Sequence, residues 1–165
     1  MRLLAFCMFI GALGAVPAAA HEVRSGDLVI SHPHSPPAPG AARNAAVFMT
    51  IINEGAVADT LLSASSPVAE AVEIHDNRAG DDGVMRMRRI ESVEVSPGAP
   101  SVLAPGGLHI MLIGLNMQLV EEEMFPLTLV FEKAGAITVD VHVTPHHNAE
   151  GMPERPADHS GHTGH

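Results

Sequence analysis

Cysteine is almost missing from this chain of 165 residues: Cys7 stands alone. A single thiol excludes an internal disulfide, an iron–sulfur cluster and a Cys-rich zinc site. Tryptophan and tyrosine are absent and aromatic residues make up 3%, so stacking on bases or sugars is not the expected mode of action. Positive charge is scarce too. Nine Lys and Arg stand against nineteen Asp and Glu, giving a formal net charge of −10. Neutralising nucleic-acid phosphates takes clustered Lys and Arg, and an anionic membrane surface asks for the same; neither partner suits this sequence. There is no Ser/His/Asp order, no paired carboxylates and no Gly-rich phosphate loop, so no catalytic residue is assigned and an enzyme is not expected. What the chain has in excess is histidine, eleven, and methionine, nine, within a 46% hydrophobic composition that suffices for one core.

The first twenty residues read as a signal peptide. Arg2 gives a short positive start, Leu3 to Val16 is apolar or small, and Ala18 and Ala20 occupy the small positions of an A-x-A cleavage site. The run is short for a membrane span and is interrupted by Gly11, Gly14 and Pro17. Phe6 precedes Cys7, which does not fit a lipoprotein site, so the thiol is expected to leave with the signal. The mature protein would be exported, would begin at His21 and would owe its stability to its core alone.

Residues 26–143 are short apolar runs broken by turn residues, and the spacing predicts strands over Asp27–His32, Ala45–Ile52, Asp59–Ser65, Ala69–His75, Gly83–Ile90, Ser92–Val95, Ser101–Leu103, Leu108–Leu115, Leu127–Glu132 and Ile137–Val143. Asn53-Glu54-Gly55, Ser96-Pro97-Gly98 and Pro105-Gly106-Gly107 are turns with a mechanism, since Gly takes positive φ and Pro fixes φ. The pattern favours an all-β sandwich or barrel. His32 to Gly40, rich in proline, reads as an extended loop, and Met117–Met124 could form one short helical turn. From Pro145 to His165 the chain is polar, with little to bury, and reads as a disordered tail. The expected organisation is a signal over 1–20, one β-sandwich domain over 21–144 and a flexible His-rich tail over 145–165.

Side chains alternate faces along a strand. Met85 and Met87 therefore share one face, and Arg86 and Arg88 the other. Taken alone, these methionines read as core filler and the arginines as solvated. The segment Leu108-His109-Ile110-Met111-Leu112 changes the weighing. Ile110 and Leu112 look like the core side, so His109 and Met111 point together away from it. His75 ends another predicted strand. Two imidazoles with one or two thioethers suit Cu(I): a thioether is a soft, neutral donor that hard cations ignore. Zinc prefers thiolate or carboxylate beside histidine, and calcium and magnesium want oxygen cages. Without a thiolate, a blue-copper electron-transfer site is excluded.

These residues resemble the signature of periplasmic copper chaperones of the PCuAC type: His, an optional Met beside it, ten residues and Met, then twenty-one residues and His-x-Met. Here His75 is followed by Asn77 to Arg86, Met87, Arg88 to Leu108, His109 and Met111. The optional Met after the first His is replaced by Asp76. The spacing selects Met87; Met85 stays as a neighbour on the same face. Gly26-Asp27-Leu28-Val29-Ile30-Ser31-His32-Pro33 is similar to the family's opening strand, and Pro126-Leu127-Thr128-Leu129-Val130-Phe131-Glu132 to its closing hairpin. Where the family often has an aromatic and a basic residue after the His-Pro pair, this chain has His34 and Pro36. The resemblance implies a cupredoxin-like Greek-key β-sandwich holding Cu(I) by His75, Met87, His109 and Met111. It also implies delivery of copper to the dinuclear copper centre of cytochrome c oxidase, with the copper-bearing subunit of that enzyme and Sco-type thiol copper proteins as partners.

The two ends suggest further metal binding. An N-terminal His21 would chelate Cu(II) through its amine and imidazole. The tail carries His146, His147, Met152, His159, His162 and His165, a composition that binds metal from a flexible segment; it is expected to capture Cu(II). The same ligands would also serve a periplasmic copper buffer or resistance protein. A copper oxygenase using His21 as a bidentate brace would need a second histidine, for which His32, His34 or His142 could serve, but the sequence offers it no aromatic platform for a polysaccharide.

Overall fold

The computed structural model describes residues 22–80 and 83–145. Among the described residues there are eleven strands and no helix: β1 (Glu22–Ser25), β2 (Leu28–Ser35), β3 (Asn44–Asn53), β4 (Asp59–Ser65), β5 (Ala69–Ala79), β6 (Met85–Ile90), β7 (Val93–Val95), β8 (Ser101–Leu103), β9 (His109–Leu115), β10 (Met124–Phe131) and β11 (Gly135–Val143). They pair along the path β6-β5-β9-β3-β2-β11-β10-β4-β7, with β1 beside β2 and β8 beside β3. The β11–β2 pair is parallel and the others are antiparallel. This is the expected all-β, cupredoxin-like Greek-key sandwich. The signal over 1–20 and nearly all of the tail lie outside the described residues. Within them no helix is long and apolar enough to cross a membrane.

β3 joins the two layers because its N-terminal residues Asn44 to Val47 pair with β9, whereas its C-terminal part pairs with β2 and β8. Both layers turn alternate residues inward. Val47, Ile74, Ile110 and Leu112 come from the β6-β5-β9 side, and Ile30, Leu127, Leu129, Val139 and Val141 from the other; all belong to one buried cluster. Each such side chain contributes roughly 1.5–3 kcal/mol by leaving water. This inward set fixes what the opposite face of each strand presents.

A polar knot ties the far end of the sandwich. The Asp59 carboxylate accepts backbone N–H groups from Thr60, Lys133 and Ala134 at 2.7, 2.9 and 2.9 Å. Burial pushes its carboxyl up, but the three N–H donors and the Lys133 charge outweigh that and leave it below the ordinary carboxylate value. Lys133 also donates from its Nζ to the Ala58 carbonyl.

Five readings of the sequence need correction. β1 was not anticipated; Glu22 to Ser25 are polar but pair fully with Leu28 to Ser31. β2 runs on to Ser35, through Pro33, where a loop was expected; a bulge between Ser31 and His34 takes up the irregularity. β5 continues to Ala79, so His75 sits inside the strand rather than at its end, and Met117 to Glu123 form no helix. Finally, Met85 and Met87 are not core filler: they are 53% and 51% exposed. β6 is an edge strand and most of it lies beyond the core, with only Ile90 packed against it.

Candidate metal centre

His75 on β5 and His109 on β9 are direct cross-strand partners. Their rings meet edge to face, with centroids 5.7 Å apart and planes at 71°. The strand period explains why. Ile74 and Ile110, also directly paired, go into the core at 3% and 0% exposure, so their neighbours His75 and His109 must share the outer face. That face is not open water at this point: His109 is only 4% exposed and the His75 side chain 13%. The ring of Phe48, on the adjacent strand β3, stands 6.4 Å from His109 and covers its other side.

Each imidazole has one nitrogen committed to a fixed acceptor. His75 Nε2–H donates to Glu73 Oε2 at 2.8 Å, from two residues earlier on the same face of β5. His109 Nδ1–H donates to the Gly107 carbonyl at 2.9 Å. That carbonyl also accepts the Asn77 N–H at 3.3 Å, and it is presented by the turn in which Gly106 adopts φ 81°, a conformation costly for any residue with a Cβ. The acceptors set the tautomers. They leave Nδ1 of His75 and Nε2 of His109 to face outside partners. Nδ1 of His75 is buried and has no hydrogen-bond partner, and an orphaned buried polar atom calls for a ligand. A ring whose second nitrogen is held by a carboxylate or a backbone carbonyl is the arrangement found behind metal-ligating histidines.

Glu73 is held in turn. Arg89 Nη1 lies 3.2 Å from Glu73 Oε1. Donation by His75, with the Arg89 and His75 charges, keeps the Glu73 carboxyl below its ordinary value against the opposing effect of burial. The carboxylate is therefore ionised where it must orient the ring. Sequence reading missed this role; the cue was the alternation Glu73-x-His75, which puts both side chains on one face.

The thioethers complete the same face. Met111 pairs with Glu73 and follows His109 by two residues, so it is diagonal to His75 and next to His109 along β9. Met87 pairs with Asn77 and is diagonal to His75 on the other side, while Arg89 is directly opposite His75. The register thus brings His75, His109 and Met111 together and leaves Met87 at the opposite corner. In an ideal sheet, two strand spacings across and four residues along separate the Met87 and Met111 Cα atoms by roughly 16 Å. One ion can take all four donors only if β6, paired along one edge and exposed through Arg89, bends over the histidines. Met85 pairs with Ala79 and lies farther still. Among the described residues no three His, Cys, Asp or Glu side chains form a cage, so beyond the two imidazoles it is the thioethers that are placed to donate. That set suits a soft monovalent ion. His21, His146, His147, Met152, His159, His162 and His165 lie outside the described residues.

The fold and this face define the class. Known structures of PCuAC domains superpose on the chain: the copper-bound PCuAC domain from PmoF2, with a TM-score of 0.65 and 27% identity over 76% of this chain and 98% of that one, and the apo PmoF2 domain, with 0.63 and 29% over 76% and 95%. The Cu(I) form of DR1885 from Deinococcus radiodurans shares the fold at a TM-score of 0.56 and 22% identity, over 78% of this chain and 84% of that one. The family model for LpqE-like lipoproteins matches residues 28–143, and the chain belongs to the LpqE-like family. A protein named as a lipoprotein, Lxx21020 of Leifsonia xyli subsp. xyli, is 31% identical over 99 residues, and the match spans 59% of this chain and 59% of that relative's length.

Proposed function

We propose that the chain is an exported copper chaperone that carries Cu(I) on the outer face of β5 and β9 and gives it up to a protein acceptor, without catalysing a reaction. The observation that carries this reading is the facing pair His75 and His109, each ring locked through one nitrogen, with Nδ1 of His75 left buried and unpartnered. The PmoF2 and DR1885 domains named as copper-bound support the metal, and the lipoprotein names of the family and of the Leifsonia relative support export. In detail, the ligands are His75, His109, Met111 and Met87, the compartment is the periplasm after cleavage behind Ala20, and the acceptor is the dinuclear copper centre of cytochrome c oxidase, served alongside Sco-type thiol proteins.

The chain's own groups account for holding and release. All four donors are neutral, so Cu(I) keeps its charge at the site while the Glu73 carboxylate, one ring removed, offsets it. The rigid half of the site is His75 and His109; Met87, on an exposed edge strand, is the donor that an incoming ligand can replace first. A thiolate acceptor is a softer and stronger ligand than a thioether, so transfer runs downhill by stepwise exchange.

The test is genetic and chemical together. His109→Ala should abolish tight Cu(I) binding on the β5–β9 face with the fold intact, and cells carrying it should assemble copper-deficient oxidase in copper-poor medium. Normal oxidase loading with copper sensitivity in copper-rich medium would instead indicate a buffer.

A further inference from the structure

The row of side chains that contains the histidine pair does not end at Phe48. His34 on β2 pairs directly with Phe48, and their rings are 5.6 Å apart. His142 on β11 pairs directly with His34, and Met124 on β10 pairs directly with His142. Their chain neighbours Ser35, Val141, Val143 and Phe125 are buried, so His34, His142 and Met124 share the outward face. Two imidazoles and a thioether thus stand side by side on three consecutive strands, at one level. Neighbouring strands are about 4.8 Å apart, so the Cα atoms of His34 and Met124 lie two strand spacings, roughly 10 Å, from each other with His142 between them.

We infer that His34, His142 and Met124 form a second metal site, for a soft monovalent cation of the Cu(I) and Ag(I) kind. The local chemistry repeats that of His109. His34 Nδ1–H donates to the backbone carbonyl two residues earlier, that of His32, at 2.8 Å, as His109 does to Gly107. Nε2 of His34 is thereby the nitrogen turned to a ligand. His32 holds its carbonyl in place at a backbone cost: its φ is 53°, one of two positive values among the described non-glycine residues, and strained backbone of this kind persists where the surroundings require it. Both histidines are half-buried, Met124 is 57% exposed, and the site opens to solvent on the methionine side. Glu121, Glu122 and Glu123, all exposed and immediately before Met124, add negative potential that draws cations to this edge. Two nitrogens and one neutral sulfur, with no thiolate and no carboxylate in the row, match Cu(I) better than zinc.

The inference stands apart from the first site and is tested with that site removed. Full-length His75→Ala/His109→Ala protein carrying labelled methionine methyl groups and histidine rings is titrated with Cu(I) under anaerobic conditions and followed by NMR. The expected result is a saturable shift of the Met124 methyl and of the His34 and His142 rings. Met124→Leu, an exposed change that leaves the β10–β11 ladder intact, should weaken that binding at least tenfold, read from the two ring signals. His34 and His142 signals that stay unmoved by Cu(I), or ring shifts of unchanged affinity in Met124→Leu, would overturn the site. Should the double variant fail to fold, the same signals are read in the otherwise wild-type chain, where Met124→Leu must suppress the second Cu(I) event and leave the His109 shift in place.

Discussion

Replacing Glu73 tests whether the metal centre is built in the way its geometry says. The side chain is not a ligand. It accepts the His75 Nε2–H at 2.8 Å and, by doing so, leaves Nδ1 as the ring nitrogen without a hydrogen-bond partner. In Glu73→Ala the ring can turn or adopt the other tautomer, and binding must restore the order that Glu73 now supplies. Losing such a supporting group typically costs 10–100-fold in metal affinity, which corresponds to about 1.4–2.8 kcal/mol. Arg89 provides the internal control. It touches Glu73 at 3.2 Å, but its side chain is 70% exposed, and an exposed ion pair contributes less than about 1 kcal/mol. Arg89→Ala should therefore weaken Cu(I) by less than about fivefold. The assay is anaerobic competition for Cu(I) against a chromophoric chelator, with His75 ring ¹⁵N shifts of the apo protein reporting the tautomer. An affinity for Glu73→Ala within twofold of wild type would refute the reasoning, as would an unchanged His75 tautomer.

Because Met87 must come over the histidines from the far diagonal, Met87→Leu should lower Cu(I) affinity about tenfold while Met85→Leu changes it little, and Cu(I) should slow hydrogen exchange in β6; equal effects of the two substitutions would contradict the assignment. Acidification should weaken Cu(I) binding, since ordinary imidazoles protonate near pH ~6.5 and thioethers do not titrate; affinity flat from neutral to acidic pH would argue against histidine ligation. Asp59→Ala strips an acceptor from three backbone N–H groups and should destabilise the fold by about 2–3 kcal/mol in chemical denaturation. The Asp59 carboxyl is lowered in the folded protein, so its contribution is present above the ordinary carboxylate value and fades as pH falls through the folded one; the difference between wild type and Asp59→Ala should shrink at low pH. A chain ending at Thr144 should keep its Cu(I) and lose Cu(II) uptake, measured by equilibrium dialysis.

The alternation of Ile110 and Leu112 with His109 and Met111 was enough to read the two faces of β9, because burial of one face dictates the other. Most strands were legible for the same reason. What a linear pattern does not contain is the register between strands far apart in the chain. That His75 stands opposite His109, that Met87 and Met111 fall on opposite diagonals, and that His142 lies beside His34 across a parallel pair all depend on it. β5 was read as ending at His75 because Asp76, Asn77 and Arg78 are polar; they stay in the strand because β6 pairs with them. β1 escaped because Glu22 to Ser25 have no apolar run of their own and form only against β2. Glu73 was overlooked because the alternation Glu73-x-His75 shows a shared face but not that the carboxylate holds one nitrogen of the ring.

Copper K-edge spectroscopy of the full chain loaded with one equivalent of Cu(I) addresses the central claim most directly. Two nitrogen and two sulfur scatterers are expected; in His109→Ala the ion is left to other donors and the sulfur count falls. A first shell of nitrogen and oxygen alone, or one that His109→Ala leaves untouched, would show that the ion is not held by the face that β5 and β9 build.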